Sequence, residues 1–377
     1  MSPIEPFRIA VPDTVLDDLA ARLAHTRVPG PLVLGGVDGV GVGESDEMVK
    51  RVEELVEYWR TGYDWRARER SLNAVPHYRT TVDGAGIHFV HVRGVGANPL
   101  PLLLANGWPS SFVEYLGVLD RLADPVSYGG DPDDAFTVVV PALPGYGFSD
   151  PRPDRRLDRV MIAGLFDRLM VERLGYPHYV AHGDDIGGGV VNRLGMRHAG
   201  TVRAIQTANW LKPSGGADEP YEEAERRWER ERGAYAHVQA TRPRTLAYGL
   251  NDSPVGLAAW ILEKFLTWSD PATRDRLSPD DLLTNVMIYW VTRTIGSSMR
   301  LYATDSAPLG AHDTVGVPAS IIVTREPELP VPSEPWLRRA YPFLTGVTAI
   351  EEGGHFLAQE SPELFVAQVR EAFRPYR

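Results

Sequence analysis

The spacing of apolar positions changes twice along the chain. Val15, Leu16, Leu19 and Leu23 recur at helical intervals, as do Met48, Val52, Leu55, Val56 and Trp59. Two amphipathic helices are therefore expected, separated by a glycine-rich loop at residues 35–43. Residues 77–82 and 87–92 instead alternate around Asp83-Gly84-Ala85-Gly86, which predicts a β-hairpin. From Pro99 the pattern becomes short unbroken apolar runs that end in Gly, Pro or Asp: 102–105, 136–140 and 179–182, with a further short strand at 204–207. Strands of a parallel sheet read this way because helices cover both of its faces. Such runs stop until 319–324 and 348–351, and the stretch between, roughly 213–307, is helix-like and rich in Trp, Tyr and Glu. The pattern predicts an α/β protein whose sheet is interrupted by a helical insertion and preceded by a helical extension. The expected divisions are 1–95 for the extension and entry hairpin, 96–212 for the first part of the core, 213–307 for the insertion and 308–377 for the rest of the core.

Composition narrows the class. A chain of 377 residues exceeds the about 250–300 over which a single core keeps growing, so two or three packed units are expected. A hydrophobic share of 43% with 24% charged residues excludes a wholly disordered chain. Lys and Arg total 39 against 50 Asp and Glu, a formal charge of −11, so no basic field exists to hold nucleic acid or anionic lipid. Cysteine is absent, which removes disulfides, cysteine-ligated metals and thiol nucleophiles together and leaves chemistry to oxygen and imidazole. No run of 18 apolar residues and no basic-then-apolar leader can be read, so a soluble cytoplasmic protein is expected, without membrane partners.

The segment from His178 to Gly188, HYVAHGDDIGG, reads as a strand, a tight turn and a helix start. The apex of such a turn is strained, and the residues two positions to either side must be small so that no Cβ strikes the neighbouring strand or helix. Gly183 and Gly187 meet that need for Asp185, whereas an apex at Asp184 would put His182 and Ile186 in the small positions. Asp185 is the candidate nucleophile. No serine has this setting, which disfavours a serine hydrolase. A carboxylate attacks an sp³ carbon instead and leaves an alkyl ester for water to cleave. The plainer alternative is a glycine-rich helix start capped by Asp184 or Asp185.

Three further segments supply what such a nucleophile needs. Asn106-Gly107-Trp108-Pro109 ends an earlier strand and would bring the Trp108 amide beside the turn. With the Ile186 amide it would form an oxyanion hole, in which a donor is worth about 2.7–4 kcal/mol. An ordinary Gly-Pro turn is the alternative. Near the C-terminus, Gly353-Gly354-His355 sends one of ten histidines out at a strand end, where a general base belongs. The apolar run 319–324 leads into Arg325-Glu326-Pro327-Glu328, and either glutamate could orient the imidazole; Glu328 is preferred because Pro327 fixes the chain just before it. The order acid, orienting acid, histidine is that of a hydrolase of this architecture.

Together these segments resemble the microsomal-type epoxide hydrolases of the α/β-hydrolase superfamily, the group with an N-terminal extension. The resemblance spans essentially the whole chain. It is carried by residues 7–29 with Tyr63-Asp64-Trp65-Arg66, by Gly107-Trp108-Pro109, by 143–149 (LPGYGFS), by the turn at Asp185, by 235–241 (YAHVQAT), by 294–302 (TIGSSMRLY) and by 353–356 (GGHF). It implies an α/β-hydrolase fold with a mostly parallel sheet and a helical cap, an epoxide and water as reactants, a vicinal diol as product, and neither cofactor nor metal. It also implies two cap tyrosines, which match Tyr235 and Tyr302; phenols can hydrogen-bond the epoxide oxygen as it leaves and supply a proton.

The family usually has His where Asn106 stands and Trp where Ile186 stands. Neither change removes a backbone amide, but both alter the pocket. Bacterial members include enzymes of enediyne antibiotic assembly, so a natural-product epoxide is the finer expectation, and a homodimer is left open. The rivals are an aspartate-nucleophile dehalogenase, for which Ile186 cannot supply a halide donor, and a catalytically silent binding protein of the same fold. A metal site is not expected, since His88 and His91 fall on opposite faces of a strand and His178 and His182 lack a third ligand.

Overall fold

The structure, a computed structural model, describes residues 2–28, 46–152, 157–213, 218–304, 313–326 and 329–377. The expected loop at 35–43 lies outside them. Nine strands among the described residues form one sheet: β1 (Glu5–Phe7), β2 (His77–Val82), β3 (Ala85–Val92), β4 (Leu100–Ala105), β5 (Phe136–Pro141), β6 (Tyr179–Gly183), β7 (Val202–Thr207), β8 (Ala319–Val323) and β9 (Leu344–Ala349). Their order is β1-β2-β3-β5-β4-β6-β7-β8-β9. The pairs as far as β3/β5 are antiparallel. Those from β4/β5 to β8/β9 are parallel. This is the α/β sheet that the apolar runs predict and the α/β-hydrolase fold that the resemblance implies, and β5 is buried along its whole length, as a strand covered on both faces must be.

Three details depart from the pattern. The hairpin turn is tighter than expected: Asp83 and Gly84 both take positive φ, 49° and 74°, in a two-residue turn whose twist matches the strands, so β3 starts at Ala85. The three-residue β1 pairs only with β2 and carries too few residues to show a period. At the other edge, β9 begins at Leu344 and ends at Ala349, where the sequence predicts 348–351. It bonds to β8 alone and is largely exposed, so it shows no continuous apolar run.

The helices of the extension, Asp13–Ala24, Asp46–Thr61 and Trp65–Leu72, lead into the sheet through β2 and β3. They are tied to the insertion. The Tyr58 hydroxyl donates to Asp280 Oδ1 at 2.9 Å, Arg68 pairs with the same carboxylate, and the Tyr63 and Thr284 hydroxyls lie 3.0 Å apart. The insertion between β7 and β8 is helical and contains Ala234–Thr241, Pro254–Trp268, Pro279–Thr292 and Ile295–Thr304.

Candidate active site

The chain leaves β4 for β5 on one side, and β6 lies on the other. At such a reversal the carboxyl ends of parallel strands open into a crevice. Asp185 stands there, directly after β6, with φ +43°, a left-handed value rare outside glycine and held only by tight surroundings. The small flanks are required as the sequence predicts. A Cβ at Gly183 would come within 2.5 Å of the Gly187 carbonyl, and one at Gly187 would collide with the Ala105 carbonyl. Gly107 is equally constrained, because a Cβ there would strike the Asp185 side chain. Asn209 Nδ2 donates to the Asp185 carbonyl at 2.8 Å and braces the turn. Asp184 occupies the N-cap position of the helix Asp185–Arg197, yet its side chain makes no capping bond.

The Trp108 amide donates to Asp185 Oδ1 at 2.9 Å. Its turn is clamped from the insertion, where Asn285 Nδ2 donates to the Pro109 carbonyl at 2.7 Å and the Tyr289 hydroxyl to that of Ser110 at 2.8 Å. Ile186 is buried, and its amide belongs to the first helical turn, whose N–H groups have no partner within the helix. Asn106 turns its amide nitrogen back onto the Gly107 carbonyl at 3.0 Å.

Opposite, His355 Nδ1 lies 2.7 Å from Glu326 Oε1. A carboxylate only accepts, so Nδ1 carries a proton and Nε2 of the neutral ring keeps its lone pair. The described contact is that of Glu326, the alternative read from the sequence; the preferred Glu328 lies outside the described residues. The cause is contact between two loops: the Arg325 amide donates to the Gly353 carbonyl at 3.0 Å, which sets the next side chain, Glu326, against the histidine.

Glu360 holds the same loop from below. Its Oε2 accepts from the amides of Gly354 and Asp270, both at 2.9 Å, and from the Thr273 hydroxyl at 2.7 Å, while Oε1 accepts from the Phe356 amide at 3.1 Å. Burial works against charge on His355. The Glu326 carboxylate, helped by Asp185 and Asp184, outweighs it and pushes the ring up to about 9.

Tyr235 and Tyr302 come from the helices Ala234–Thr241 and Ile295–Thr304, with ring centroids 6.0 Å apart. Tyr235 stacks on Trp108 at 5.4 Å and Tyr302 meets the same indole edge-on at 6.0 Å. Burial raises both phenols above their ordinary value, and the Asp185 charge adds to this. The glycine turn after β5 supports the second helix. Tyr146 donates to the Ser298 carbonyl at 3.0 Å, and Ser297 donates to that of Gly145.

A cavity of about 260 Å³ joins these parts, with Asp184, Asp185, Glu326, His355 and Tyr235 on its wall. Trp210, Tyr221, Trp228 and Trp268 line the remainder, with the pair Lys212–Glu225, 2.5 Å apart. Tyr302 is not on this wall; it packs against Tyr235 and Trp108. Such an arrangement can attack carbon with one carboxylate and then activate water against the resulting ester. Among the described residues, no group of three His, Asp or Glu side chains could hold a metal. Asn209, Asn285, Tyr289 and Glu360 escape sequence reasoning, because each acts through a packing contact that no local spacing announces.

Fold and site define an α/β-hydrolase with an aspartate at the strand–helix turn and an N-terminal extension. Residues 4–115 match the family described as epoxide hydrolase N terminus, and residues 101–247 match the alpha/beta hydrolase fold. The sequence is 38% identical to a Stigmatella aurantiaca protein named, by inference, an epoxide hydrolase, across 99% of this chain and 86% of that one. It is 33% identical to epoxide hydrolase 1 of Sus scrofa, across 97% and 88%. The crystal structure of juvenile hormone epoxide hydrolase from the silkworm Bombyx mori superposes with a TM-score of 0.83 at 32% identity, covering 100% of this chain and 95% of that one. The chain belongs to the epoxide hydrolase family.

Proposed function

We propose that this chain opens an epoxide to a vicinal diol through a covalent ester on Asp185. The observation that carries this reading is the bond from the Trp108 amide to Asp185 Oδ1. It fixes one carboxylate oxygen in the place where an oxyanion would later form and leaves the other to attack an oxirane carbon. Tyr235, on the cavity wall, hydrogen-bonds the epoxide oxygen and protonates it as the C–O bond breaks, and Tyr302, packed against it, is the second phenol of the pair. His355, oriented by Glu326, takes a proton from water as the water adds to the ester carbonyl, and the Trp108 and Ile186 amides receive the charge. Collapse releases the diol and restores the Asp185 carboxylate, and the His355 proton returns to the tyrosinate.

In this scheme the helical insertion serves as a cap over the core. The aromatic wall favours a substrate with a flat ring system, which agrees with a natural-product epoxide of the enediyne type. A single turnover in ¹⁸O-labelled water tests the ester. The label is expected in the peptide containing Asp185, with unlabelled oxygen entering the diol; label in the diol alone would refute a covalent intermediate.

A further inference from the structure

Behind Asp185 lie two carboxyl groups that the proposed chemistry does not use. Asp184 precedes it in the chain, and Glu114 belongs to the short helix Phe112–Val118 that follows the Trp108 turn. Glu114 is 2% exposed and Asp184 7%. Their side chains lie within reach of a hydrogen bond to each other. The Tyr115 hydroxyl lies 3.1 Å from Asp184 Oδ2 and 3.2 Å from the Ala105 carbonyl, to which it can also donate. Glu114 Oε1 is buried without a donor among the described residues. No lysine or arginine among those residues forms an ion pair with either acid.

Two carboxylates have no proton to place between them, so a bond between these acids requires that one stay protonated, and burial without a cation favours that state. Asp184 also stands on the wall of the cavity shared by Asp185 and His355, whereas Glu114 is not on that wall and lines a separate cavity with Arg68, Arg276 and Asp281.

We propose that Asp184 and Glu114 hold one proton in common and act as a positioning pair, fixing at one the negative charge that faces Asp185 and His355 during ester hydrolysis. The kinetic part rests on the ester mechanism proposed above; the shared proton does not. A singly charged pair helps His355 take a proton from water. A doubly charged pair would oppose the oxyanion at Asp185, and a neutral pair would withdraw support from the imidazolium.

The groups facing the pair fit this assignment. Asp185 follows on the same turn, Tyr115 and Ser110 face it from the segment after β4, and His355 backed by Glu326 faces it from the loops after β9 and β8. His182 on β6 packs on Tyr115, and burial pulls it down to about 4, so it stays neutral. Burial raises Asp184 to about 6 and Glu114 well above its usual range, so over the neutral range the pair keeps one proton.

Asp184→Asn and Glu114→Gln separate proton, charge and packing, because each amide can donate to the remaining carboxylate. Wild-type minus variant infrared spectra at neutral pH should show a protonated-carboxyl C=O band lost in both variants; no such difference overturns the shared proton. With styrene oxide as probe, rapid quench should show the alkylation rate of Asp184→Asn nearly unchanged and ester decay slowed about tenfold, equivalent to one pKa unit at His355. The negative charge then sits on the remote Glu114. Glu114→Gln, which keeps the charge on Asp184, should decay at close to the wild-type rate. Equal decay in all three proteins overturns the positioning role alone, whereas absence of any ester in the wild type overturns the ester mechanism and the positioning role with it, leaving the infrared result to judge the pair.

Discussion

Burial by itself would strip the proton from His355, yet the carboxylates around it push the ring up to about 9. In the proposed mechanism, converting Asp185 to an ester erases one of those charges, so the ring would loosen its proton at the stage where water needs a base. The pH midpoint for ester hydrolysis, read by rapid quench, should therefore lie below the titration midpoint of His355 in the free enzyme, read by NMR; coincident midpoints would contradict this. The raised value is also a statement about stability. A group raised from 6.5 to about 9 stabilises the fold fully below 6.5 and loses that contribution as pH rises through about 9, on the order of 3 kcal/mol before relaxation. His355→Gln should flatten this slope in denaturant unfolding across that window. The same variant should slow ester hydrolysis by roughly 10²–10⁴-fold and let the alkylated protein accumulate in the mass spectrum. The turn at Asp185 and the loop at His355 were legible in the sequence because backbone geometry demands their glycine neighbours. The choice between Glu326 and Glu328 was not, because contact between two loops far apart in the chain decides it.

Among the elements, the approach of the helix Asp185–Arg197 to β4 is the tightest constraint. Gly187→Ala should cost roughly 1–3 kcal/mol, since the methyl group meets the rigid Ala105 carbonyl, and should lower activity by shifting Asp185. Denaturant midpoints and initial rates measure the two effects, and an unperturbed midpoint would show that the strand can yield. The tyrosine-bearing helices predict a different pattern. Tyr235→Phe and Tyr302→Phe should each slow alkylation by an amount equivalent to about 2.7–4 kcal/mol while leaving the decay of any ester that forms largely intact. The central strands could be read because burial on both faces makes them continuous apolar runs. Of the edge strands, β1 was not read and β9 was placed four residues late, because a strand bonded on one side only needs no such run.

Across the whole molecule, the extension continues the sheet through β1, β2 and β3 and also grips the insertion at Asp280. Asp280→Ala removes the acceptor for both Tyr58 and Arg68, and a loss of roughly 1–3 kcal/mol in unfolding free energy is expected. An unchanged unfolding midpoint would show that the extension is held elsewhere. Glu360 makes the second long-range tie, joining the Asp270–Thr273 bend after the helix Pro254–Trp268 to the loop that carries His355. One buried carboxylate thus anchors two stretches about ninety residues apart, so the seat of the imidazole is set partly by the insertion and not by its own loop alone.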